Sequence, residues 1–407
     1  MFKTNRKRLQ SYLETFSQFG KTSNGGVTRL SLSQEDIAAR TYFKEICEAS
    51  GLTVCSDDMG TMYATLQGQK LLPPITMGSH ADTVIKGGRF DGILGVVAAL
   101  EVVQTIQDNN ITLDHPLTII NFTNEEGARF EPSLMASGVL SGQFDKEKML
   151  ASTDTKGVTF AQALTNSGFE GRKENRLQQA TAYVELHIEQ GPVLAHHQQT
   201  IGIVEGVLGM VCYDITLLGE SNHAGTTPIN MRKDSMFATM KIISILQKQL
   251  QQLPDDLVYT IGRITALPNV HTVIPNQVTF SLEARHQNPK IITQVEQIIH
   301  DLPTMIDQCE LQFAKLWARD TVHFAKPVVE AVTASTKALG LSHRHMYSGA
   351  GHDAQFMSHI VPSAMIFVPS THGYSHREDE YTSYEDCSQG ADVLLNTVLN
   401  LAGYPQT

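Results

Sequence analysis

The sequence predicts a two-domain α/β protein, in which an α+β domain is inserted into a larger domain built on a mostly parallel sheet. Three observations support this prediction. The chain has 407 residues, more than the roughly 250 to 300 at which a single hydrophobic core stops growing. Strand-like and helix-like segments alternate over most of the chain, which favours a parallel sheet covered by helices. From about residue 209 the pattern changes to that of an antiparallel sheet with two helices on one face.

The elements of the first part follow from periodicity and turn residues. A helix is predicted over residues 33–50, because Ser33 followed by Asp36 resembles a capping box and Gly51 ends the apolar spacing. The strand-like runs LTVC and TMYATL flank the turn residues DDMG and predict a hairpin. A third run, PITMGS, precedes a buried helix over residues 93–107, and PLTIINFT supplies the next strand. Ligands of such a sheet are expected where its strands end.

The second part, from Val211, predicts the order strand, helix, strand, strand, helix, strand. Its clearest element is VTFSLEAR, in which apolar and polar residues alternate as in a strand with one buried face. The alternation of helix-like and strand-like segments resumes near Phe324. SAMIFV is a predicted strand, and a terminal helix is predicted over residues 384–401. We therefore expect two domains with these bounds: residues 1–210 together with 324–407, and the inserted residues 211–323.

Composition excludes several classes of protein. Basic residues number 31 and acidic residues 42, so the formal net charge is −11 and the sequence pI is about 5.8, which argues against a nucleic-acid partner. No apolar run approaches the roughly 20 residues that a membrane helix needs, so no membrane association is expected. The five cysteines are scattered without a CxxC pair, and the basic N-terminus lacks the apolar stretch of a secretory signal. A cytoplasmic location is the expectation.

The residues that carry chemistry cluster where predicted strands end. The segment GSHADTVIKGGRFDG places His80 at the end of a strand, Asp82 two residues later and Asp91 in a glycine-rich loop before a helix. A lone His is more often an ordinary loop residue than a metal ligand. Asp82, however, can hold the second nitrogen of the His80 ring and so fix its tautomer and orientation for metal binding.

Three further strand ends carry groups of the same kind. NFTNEEGARF places Glu125 and Glu126 after an apolar strand, where one carboxylate can bind metal while its neighbour reaches an attacking water. The strand AYVELHIEQGP ends near His187, and GYSHREDE, which contains His376, follows SAMIFVPS. Each group alone suits a solvated turn equally well. Four such strand ends together favour a divalent-metal site with nitrogen and oxygen ligands, as for zinc, manganese or cobalt rather than thiolate-bound zinc.

One family has motifs similar to six segments of this chain, in the same order. The chain resembles the M20 metallo-amidohydrolases, in the branch of N-carbamoyl-L-amino acid hydrolases, allantoate amidohydrolases and β-ureidopropionases. The segments are GSHADTVIKGGRFDG, NEEGARF, ELHIEQGP, GESNHAGTTP, SGAGHDA and GYSHREDE. The resemblance runs from about residue 25 to the C-terminus. It implies a metallopeptidase-like catalytic domain, an inserted lid and dimerisation domain, and hence a homodimer.

The resemblance also implies a two-metal site and a role for each polar residue. The ions would be zinc, manganese, cobalt or nickel. His80 and His187 would bind one ion, Glu126 and His376 the other, and Asp91 would bridge them. Glu125 would be the general base that takes a proton from the attacking water and passes it to the leaving nitrogen, and Asp82 would orient His80. A ureido carbonyl is a poor electrophile, so the reaction requires activation of both carbonyl and water.

Substrate contacts are implied on the same basis. His223, in GESNHAGTTP, would stabilise the developing oxyanion of a substrate bound to the other subunit. Arg285 would bind the substrate carboxylate through its guanidinium. Gln190, Gly349 and Ala350 would line the pocket. Without the resemblance, His223 is an ordinary loop residue and Arg285 a surface charge on a strand.

The chain departs from the family pattern at one substrate-contact position. The family commonly has Asn before Val-Val-Pro or Val-Ile-Pro, whereas PNVHTVIP has Thr272, which offers one hydroxyl in place of an amide donor and acceptor. The stretch from Leu208 to Cys212 also lacks the Gln-Arg pair of allantoate enzymes. This second difference favours a small-molecule substrate with one ureido group.

The leading hypothesis is therefore hydrolysis of the N-carbamoyl group of an L-amino acid or related ureido acid, giving the amino acid, ammonia and carbon dioxide. Allantoate hydrolysis is the alternative within the branch. An M20 aminoacylase or dipeptidase is disfavoured by the GGRFDG loop and the AGTTP sequence. A non-catalytic binding protein of the same fold is disfavoured because every expected ligand and base position is filled.

Overall fold

The computed structural model describes residues 1–405, and these divide into two compact units. The first unit comprises Met1–Gly206 and the chain from His323 onward, and the second comprises Val207–Val322. The domain bounds expected from the sequence, with an inserted part spanning residues 211–323, stay a prediction. No helix in the described part of the chain is long and apolar enough to cross a membrane.

Helices and strands alternate along the chain. The helices are α1 (Arg6–Phe16), α2 (Gln34–Ala49), α3 (Ile93–Asp108), α4 (Met135–Leu140), α5 (Lys146–Leu150), α6 (Phe160–Ser167), α7 (Val193–His196), α8 (Ser235–Leu250), α9 (Pro289–His300), α10 (Lys326–Ala338), α11 (Asp353–Met357) and α12 (Tyr384–Leu401). The strands are β1 (Thr53–Ser56), β2 (Met62–Leu66), β3 (Ile75–His80), β4 (Leu117–Phe122), β5 (Ala182–Ile188), β6 (Ile201–Val207), β7 (Gly209–Leu218), β8 (Val258–Thr260), β9 (Ile264–Leu267), β10 (Gln277–His286), β11 (Met305–Ile306), β12 (Cys309–Arg319), β13 (Val322–His323), β14 (His343–Ser348) and β15 (Ser363–Val368).

The larger sheet is mixed and has a parallel centre. Its strand order is β1-β2-β4-β3-β5-β15-β6-β13, and β14 pairs with β6. Strand β3 runs parallel to β4 and β5, and β15 runs parallel to β5. The outer pairs β1 with β2, β2 with β4, and β6 with β15 are antiparallel. The predicted α/β class is confirmed, and the carboxyl ends of β4, β3, β5 and β15 meet at one edge of the sheet, where ligands of such sheets bind.

Helix α3 covers the middle of this sheet. Its sequence ILGVVAALEVVQTIQD is apolar around most of the helix, and it contacts β3, β5, α1 and α12. A helix that is apolar on nearly all sides has to be buried on all of them. Gly95 lets it approach closely, because a Cβ there would lie 2.5 Å from the carbonyl oxygen of Leu186. The helix therefore supports the strands that carry the polar edge.

Helix α2 joins the N-terminal region to the end of β4. It starts as predicted, with the Ser33 side chain accepting a hydrogen bond from the backbone N–H of Asp36. Arg40, one turn further on, is fully buried and pairs with Asp36 at 2.8 Å. Its other nitrogens donate to the carbonyl oxygens of Gly60 and Phe122. The predicted hairpin of β1 and β2 is also present.

The second unit is a six-stranded antiparallel sheet covered on one face by α8 and α9. The strand order is β11-β12-β7-β10-β8, and β9 also pairs with β10. Along β10 buried and half-buried residues alternate, as the sequence pattern predicts. Its buried side chains, including Phe280, pack with Ile242 of α8 and Val295 of α9 in one apolar core.

The structure differs from the sequence analysis in one strand of this unit. The run LVYTIGRITA is expected to form one strand, but it forms the two short strands β8 and β9, with Gly262 between them. Glycine in a strand interior weakens it, because the flexible backbone loses more entropy and no side chain packs against the neighbours.

Candidate metal centre

The polar edge of the larger sheet brings together residues from four strand ends. His80 is the last residue of β3, and His187 is the residue before the end of β5. Glu125 and Glu126 follow β4, and the segment with His376 follows β15. Because β3, β4, β5 and β15 are parallel neighbours, their carboxyl ends lie side by side. All of these residues belong to the first unit.

Two of the resulting groups can each hold one metal ion. We call His80, Asp91 and His187 the inner group, and Asp91, Glu126 and His376 the outer group; in each, one ligand atom per residue lies within 4.8 Å of the others. In the inner group, the Asp91 Oδ1 atom lies 3.1 Å from His187 Nε2 and 3.8 Å from His80 Nε2. The inner group is buried, whereas the His376 side chain is 51% exposed.

Asp91 contributes one oxygen to each group. In the outer group, His376 Nε2 lies 3.4 Å from Asp91 Oδ2 and 3.3 Å from Glu126 Oε2. The two oxygens of one carboxylate thus face different ligand sets. Asp91 could therefore bind a metal ion in either group.

The backbone sets the orientation of both buried imidazoles. His80 Nδ1 lies 3.0 Å from the carbonyl oxygen of Asp82, and His187 Nδ1 lies 2.9 Å from the carbonyl oxygen of Ile188. A carbonyl oxygen can only accept, so each Nδ1 carries a proton, and Nε2 is the nitrogen through which each ring could bind a metal.

The carboxylate of Asp82 has a different partner from the one expected. Its Oδ1 atom is 3.8 Å from His80 Nδ1, so the contact that orients His80 comes from the Asp82 backbone carbonyl instead. The two carboxylate oxygens accept hydrogen bonds from the backbone N–H groups of Glu125 and Glu126, each at 3.3 Å. Asp82 therefore holds the two glutamates next to the loop that follows His80. Its burial raises the pKa of this carboxyl to about 7.

Glu125 lies beside the inner group. Its Oε2 atom is 3.4 Å from His80 Nε2, and the residue is buried. Burial, and then the negative charge of Glu126, hold the pKa of Glu125 well above its usual range. A carboxyl with a raised pKa can accept a proton and keep it near neutral pH, which is what a general base that later acts as an acid requires.

The two inner histidines have shifted pKa values: that of His80 is lowered and that of His187 is raised. Burial disfavours the charged ring of His80 and lowers its pKa to about 4. Burial acts in the same way on His187, but the hydrogen bond and the charge of Asp91 outweigh it and raise the His187 pKa to about 9. Without a metal ion, Asp91 therefore favours a protonated His187.

The residues present fit divalent metal ions. Within residues 1–405, Glu126 Oε1 is buried and has no hydrogen-bond partner, so it has a free lone pair beside the outer group. An unpaired buried oxygen is costly unless another group satisfies it. Three imidazoles and two carboxylates are nitrogen and oxygen donors of the type that zinc, manganese and cobalt accept.

The pocket residues predicted for the first unit lie in ordered turns. Gln190 donates from Nε2 to Asp91 Oδ2 at 2.9 Å and to the Ser375 hydroxyl at 3.2 Å. The backbone N–H of Ala350, which follows Gly349, donates to the Ser348 hydroxyl at 3.1 Å. The roles of Gln190, Gly349 and Ala350 towards substrate stay predictions.

The other predicted substrate contacts belong to the second unit. His223 Nδ1 accepts hydrogen bonds from the backbone N–H groups of Gly225 and Thr226, which leaves its proton on Nε2. The carbonyl oxygen of Thr272 accepts from the N–H of Ala224 at 2.9 Å, so Thr272 lies next to the His223 turn. Arg285 pairs with Glu283 at 2.6 Å. Their roles towards substrate also stay predictions.

Two residues of the site escaped the sequence analysis. Ser375 and Glu380 flank His376 within the quoted segment GYSHREDE, and both contact the Asp91 loop. The signal for Glu380 is weak in sequence, because the segment contains three acidic residues and only the structure shows that this one is buried.

The chain is similar to one peptidase family and to amidohydrolases. Residues 76–400 match Peptidase family M20/M25/M40. An N-carbamoyl-L-amino-acid amidohydrolase of Rhizobium meliloti is 36% identical over 406 residues, covering 98% of this chain and 97% of the relative. An allantoate amidohydrolase of Bacillus subtilis (strain 168) is also 36% identical, covering 98% of each chain. The crystal structure of a hydantoinase/carbamoylase family amidase from Burkholderia ambifaria superposes with a TM-score of 0.94 at 35% identity, covering 100% of this chain and 99% of that one.

Proposed function

The chain belongs to peptidase family M20/M25/M40, and from this we propose that it is a metal-dependent amidohydrolase acting on a C–N bond other than a peptide bond. Its substrate is an N-carbamoyl-L-amino acid or a related ureido acid. One water is consumed, and the products are the amino acid, ammonia and carbon dioxide. The relatives named N-carbamoyl-L-amino-acid amidohydrolase support this substrate class.

The observation that carries the proposal is the position of Asp91 between the two groups. One of its oxygens faces the two buried histidines and the other faces Glu126 and His376, while Glu125 lies beside the inner group. This arrangement supports two divalent ions per subunit, drawn from zinc, manganese, cobalt and nickel. Such ions polarise a ureido carbonyl and make water more acidic.

Glu125 moves the proton in the proposed reaction. Its Oε2 atom, which lies near His80, takes a proton from the attacking water and later passes it to the leaving nitrogen. The raised pKa of Glu125 lets the carboxyl hold that proton between the two steps. Asp82 keeps this carboxyl in place, because it accepts the backbone N–H groups of both glutamates.

We assign substrate binding to six residues. His223, whose proton is on Nε2 in this structure, donates to the developing oxyanion, and Arg285 binds the substrate carboxylate. Thr272, Gln190, Gly349 and Ala350 complete the pocket. His223 acts on the substrate of the other subunit, so the protein is a homodimer. The five cysteines are free, which supports a cytoplasmic location.

Allantoate is the second candidate substrate. The Bacillus subtilis relative that bears this name is as similar to this chain as the Rhizobium meliloti one. The stretch from Leu208 to Cys212, which includes the start of β7, lacks the Gln-Arg pair expected for that substrate and favours an N-carbamoyl amino acid.

A substrate panel tests the proposal. Metal-replete protein is assayed for ammonia release from several N-carbamoyl-L-amino acids, ureidoglycolate and allantoate, and ninhydrin detects cleavage of dipeptides. We expect the highest kcat/KM on an N-carbamoyl-L-amino acid and none on dipeptides. A preference for allantoate would select the second candidate, and release from no ureido compound would refute the proposal.

A further inference from the structure

A buried carboxylate connects the two loops that supply the outer group. Glu380 is 3% exposed, and its Oε1 atom accepts hydrogen bonds from the backbone N–H groups of Phe90 at 3.2 Å and Asp91 at 3.1 Å. Its Oε2 atom accepts from the Ser375 hydroxyl at 3.0 Å. One side chain therefore contacts the loop of Asp91 and the loop of His376 at the same time.

Ser375 lies between these loops, and its one hydroxyl proton can be donated either to Glu380 or to Asp91. Its hydroxyl oxygen lies 3.2 Å from Asp91 Oδ2, the oxygen that faces the outer group. Ser375 also precedes His376, whose backbone has a φ of 57°, a conformation that residues other than glycine rarely adopt. The contacts of Ser375 thus lie directly before the strained backbone of a predicted ligand, His376.

The partners of Glu380 explain why a carboxylate is buried there. Within residues 1–405, Glu380 makes no ion pair with Lys or Arg, and its partners all belong to the two ligand loops. Burying a carboxylate without a cationic partner is unfavourable. The contacts with the two ligand loops are therefore the reason to bury Glu380 here. The Asp91 loop also makes space for it, because a Cβ on Gly88 would lie 1.9 Å from Glu380 Oε1.

We propose that Glu380 and Ser375 are positioning residues that hold the Asp91 loop against the His376 loop and thereby set the affinity of the outer group for its metal ion. The inner group depends less on them, because its two imidazoles are oriented by nearby backbone carbonyls, His80 by that of Asp82 and His187 by that of Ile188. The inference rests on the proposed function only in requiring that both groups bind metal. It does not depend on the identity of the substrate.

Titration of the metal-free full-length protein with Mn²⁺ tests this inference. Isothermal calorimetry gives the affinity of each ion for the parent and for Glu380→Gln, Ser375→Ala and the double variant. Gln keeps the size of Glu380 but loses its charge and one acceptor. The matched control is Asp379→Asn, which neutralises an adjacent carboxylate that is 57% exposed and pairs with Arg377.

We expect Glu380→Gln to weaken the second, outer ion by about 10-fold or more, which is the usual effect of losing a residue that orients ligands. The inner ion should lose clearly less affinity than the outer one, because Asp91 is its only ligand that Glu380 contacts, and the melting temperature of the metal-free protein should stay as in the parent. The losses in Ser375→Ala and Glu380→Gln should not add up in the double variant, because the two side chains share a hydrogen bond and hold the same loop. Electron paramagnetic resonance should show the spin-coupled Mn²⁺ pair in the control but not in Glu380→Gln at equal Mn²⁺.

Three results would overturn the inference. They are unchanged affinities in Glu380→Gln, equal weakening of both ions, and binding of a single ion by the parent. A lowered melting temperature of the metal-free variant together with equal weakening would show a structural role alone. If the variants behave as expected but the parent releases no ammonia from any ureido compound, the proposed function fails and this inference stands.

Discussion

Glu125 and Glu126 are neighbours in sequence, yet their side chains have separate surroundings. Glu126 Oε2 faces His376, whereas Glu125 Oε2 faces His80. Asp82 accepts the backbone N–H of each, so both glutamates are held from one point. A carboxylate pair of this type can divide metal binding from proton transfer.

Replacement of Glu125 by Gln should separate these two tasks. Gln cannot accept the proton, so we expect turnover to fall by about 100-fold to 10,000-fold, while the metal content stays as in the parent. Ammonia release and metal analysis of the same preparation measure both. Glu45→Gln, at an exposed position on α2, serves as control and should change neither. Turnover close to that of the parent would remove Glu125 from the role of base.

Metal binding should release a proton from His187. Its pKa of about 9 in the metal-free protein means that the ring is charged at neutral pH, and only the neutral ring can bind a metal. Affinity should therefore rise with pH until about pH 9 and level off above it. Calorimetry of Mn²⁺ binding near pH 7.5 in two buffers of different ionisation enthalpy counts the protons released. A binding heat that does not depend on the buffer would contradict this assignment.

The strand ends that carry the predicted ligands can be found in the sequence more easily than the groups that hold them. The strand-end positions of His80 and His187 follow from apolar runs that stop at polar residues. That the Asp82 carbonyl, and not its carboxylate, orients His80 could not be predicted, because residue type does not show whether backbone or side chain faces a ring. The burial of Glu380 likewise depends on a chain segment nearly 300 residues from Asp91.

At the scale of elements, α2 supports the strand end that carries the glutamates. Its buried Arg40 pairs with Asp36 and also donates to the carbonyl of Phe122, the last residue of β4. Helix α2 and strand β4 were predictable from capping and apolar runs. The pairing of Arg40 with the end of β4 was not, because it joins residues 82 positions apart.

Breaking the buried pair on α2 should destabilise the protein strongly. Asp36→Asn leaves the Arg40 charge without a partner in the interior, so we expect a loss of about 3 to 5 kcal/mol in the free energy of unfolding. Urea unfolding measures it. The same helix offers a control: Lys44 and Glu48 form an exposed pair with the same spacing, and Lys44→Ala should cost only about 0.2 to 0.5 kcal/mol. If both variants lost the same free energy of unfolding, burial would not be what makes the Asp36–Arg40 pair important for stability.

At the scale of the whole molecule, the predicted residues divide between the two units. The five predicted ligands and Glu125 belong to the first unit, whereas His223, Thr272 and Arg285 belong to the second. The change in strand pattern near residue 209 is the sequence signal on which the prediction of an inserted domain rests. The break between β8 and β9 was missed, because the apolar pattern continues across Gly262.

This division predicts that variants of the second unit leave the metal ions in place. His223→Ala should lower kcat by about 100-fold or more, as for the loss of an oxyanion donor, with unchanged metal content. Steady-state kinetics and metal analysis test it. His271→Ala is the control, because His271 is an exposed His of the same unit with no assigned role. Loss of metal in His223→Ala, or unchanged kcat, would refute the assigned role.

We propose that His80, Asp91, Glu126, His187 and His376 hold the ions on which hydrolysis depends. The most direct measurement is ammonia release from an N-carbamoyl-L-amino acid by protein stripped with a chelator, before and after divalent ions are returned. We predict that activity disappears with the ions and returns with Mn²⁺, Zn²⁺ or Co²⁺. Hydrolysis by the stripped protein at the rate of the untreated protein would contradict the claim.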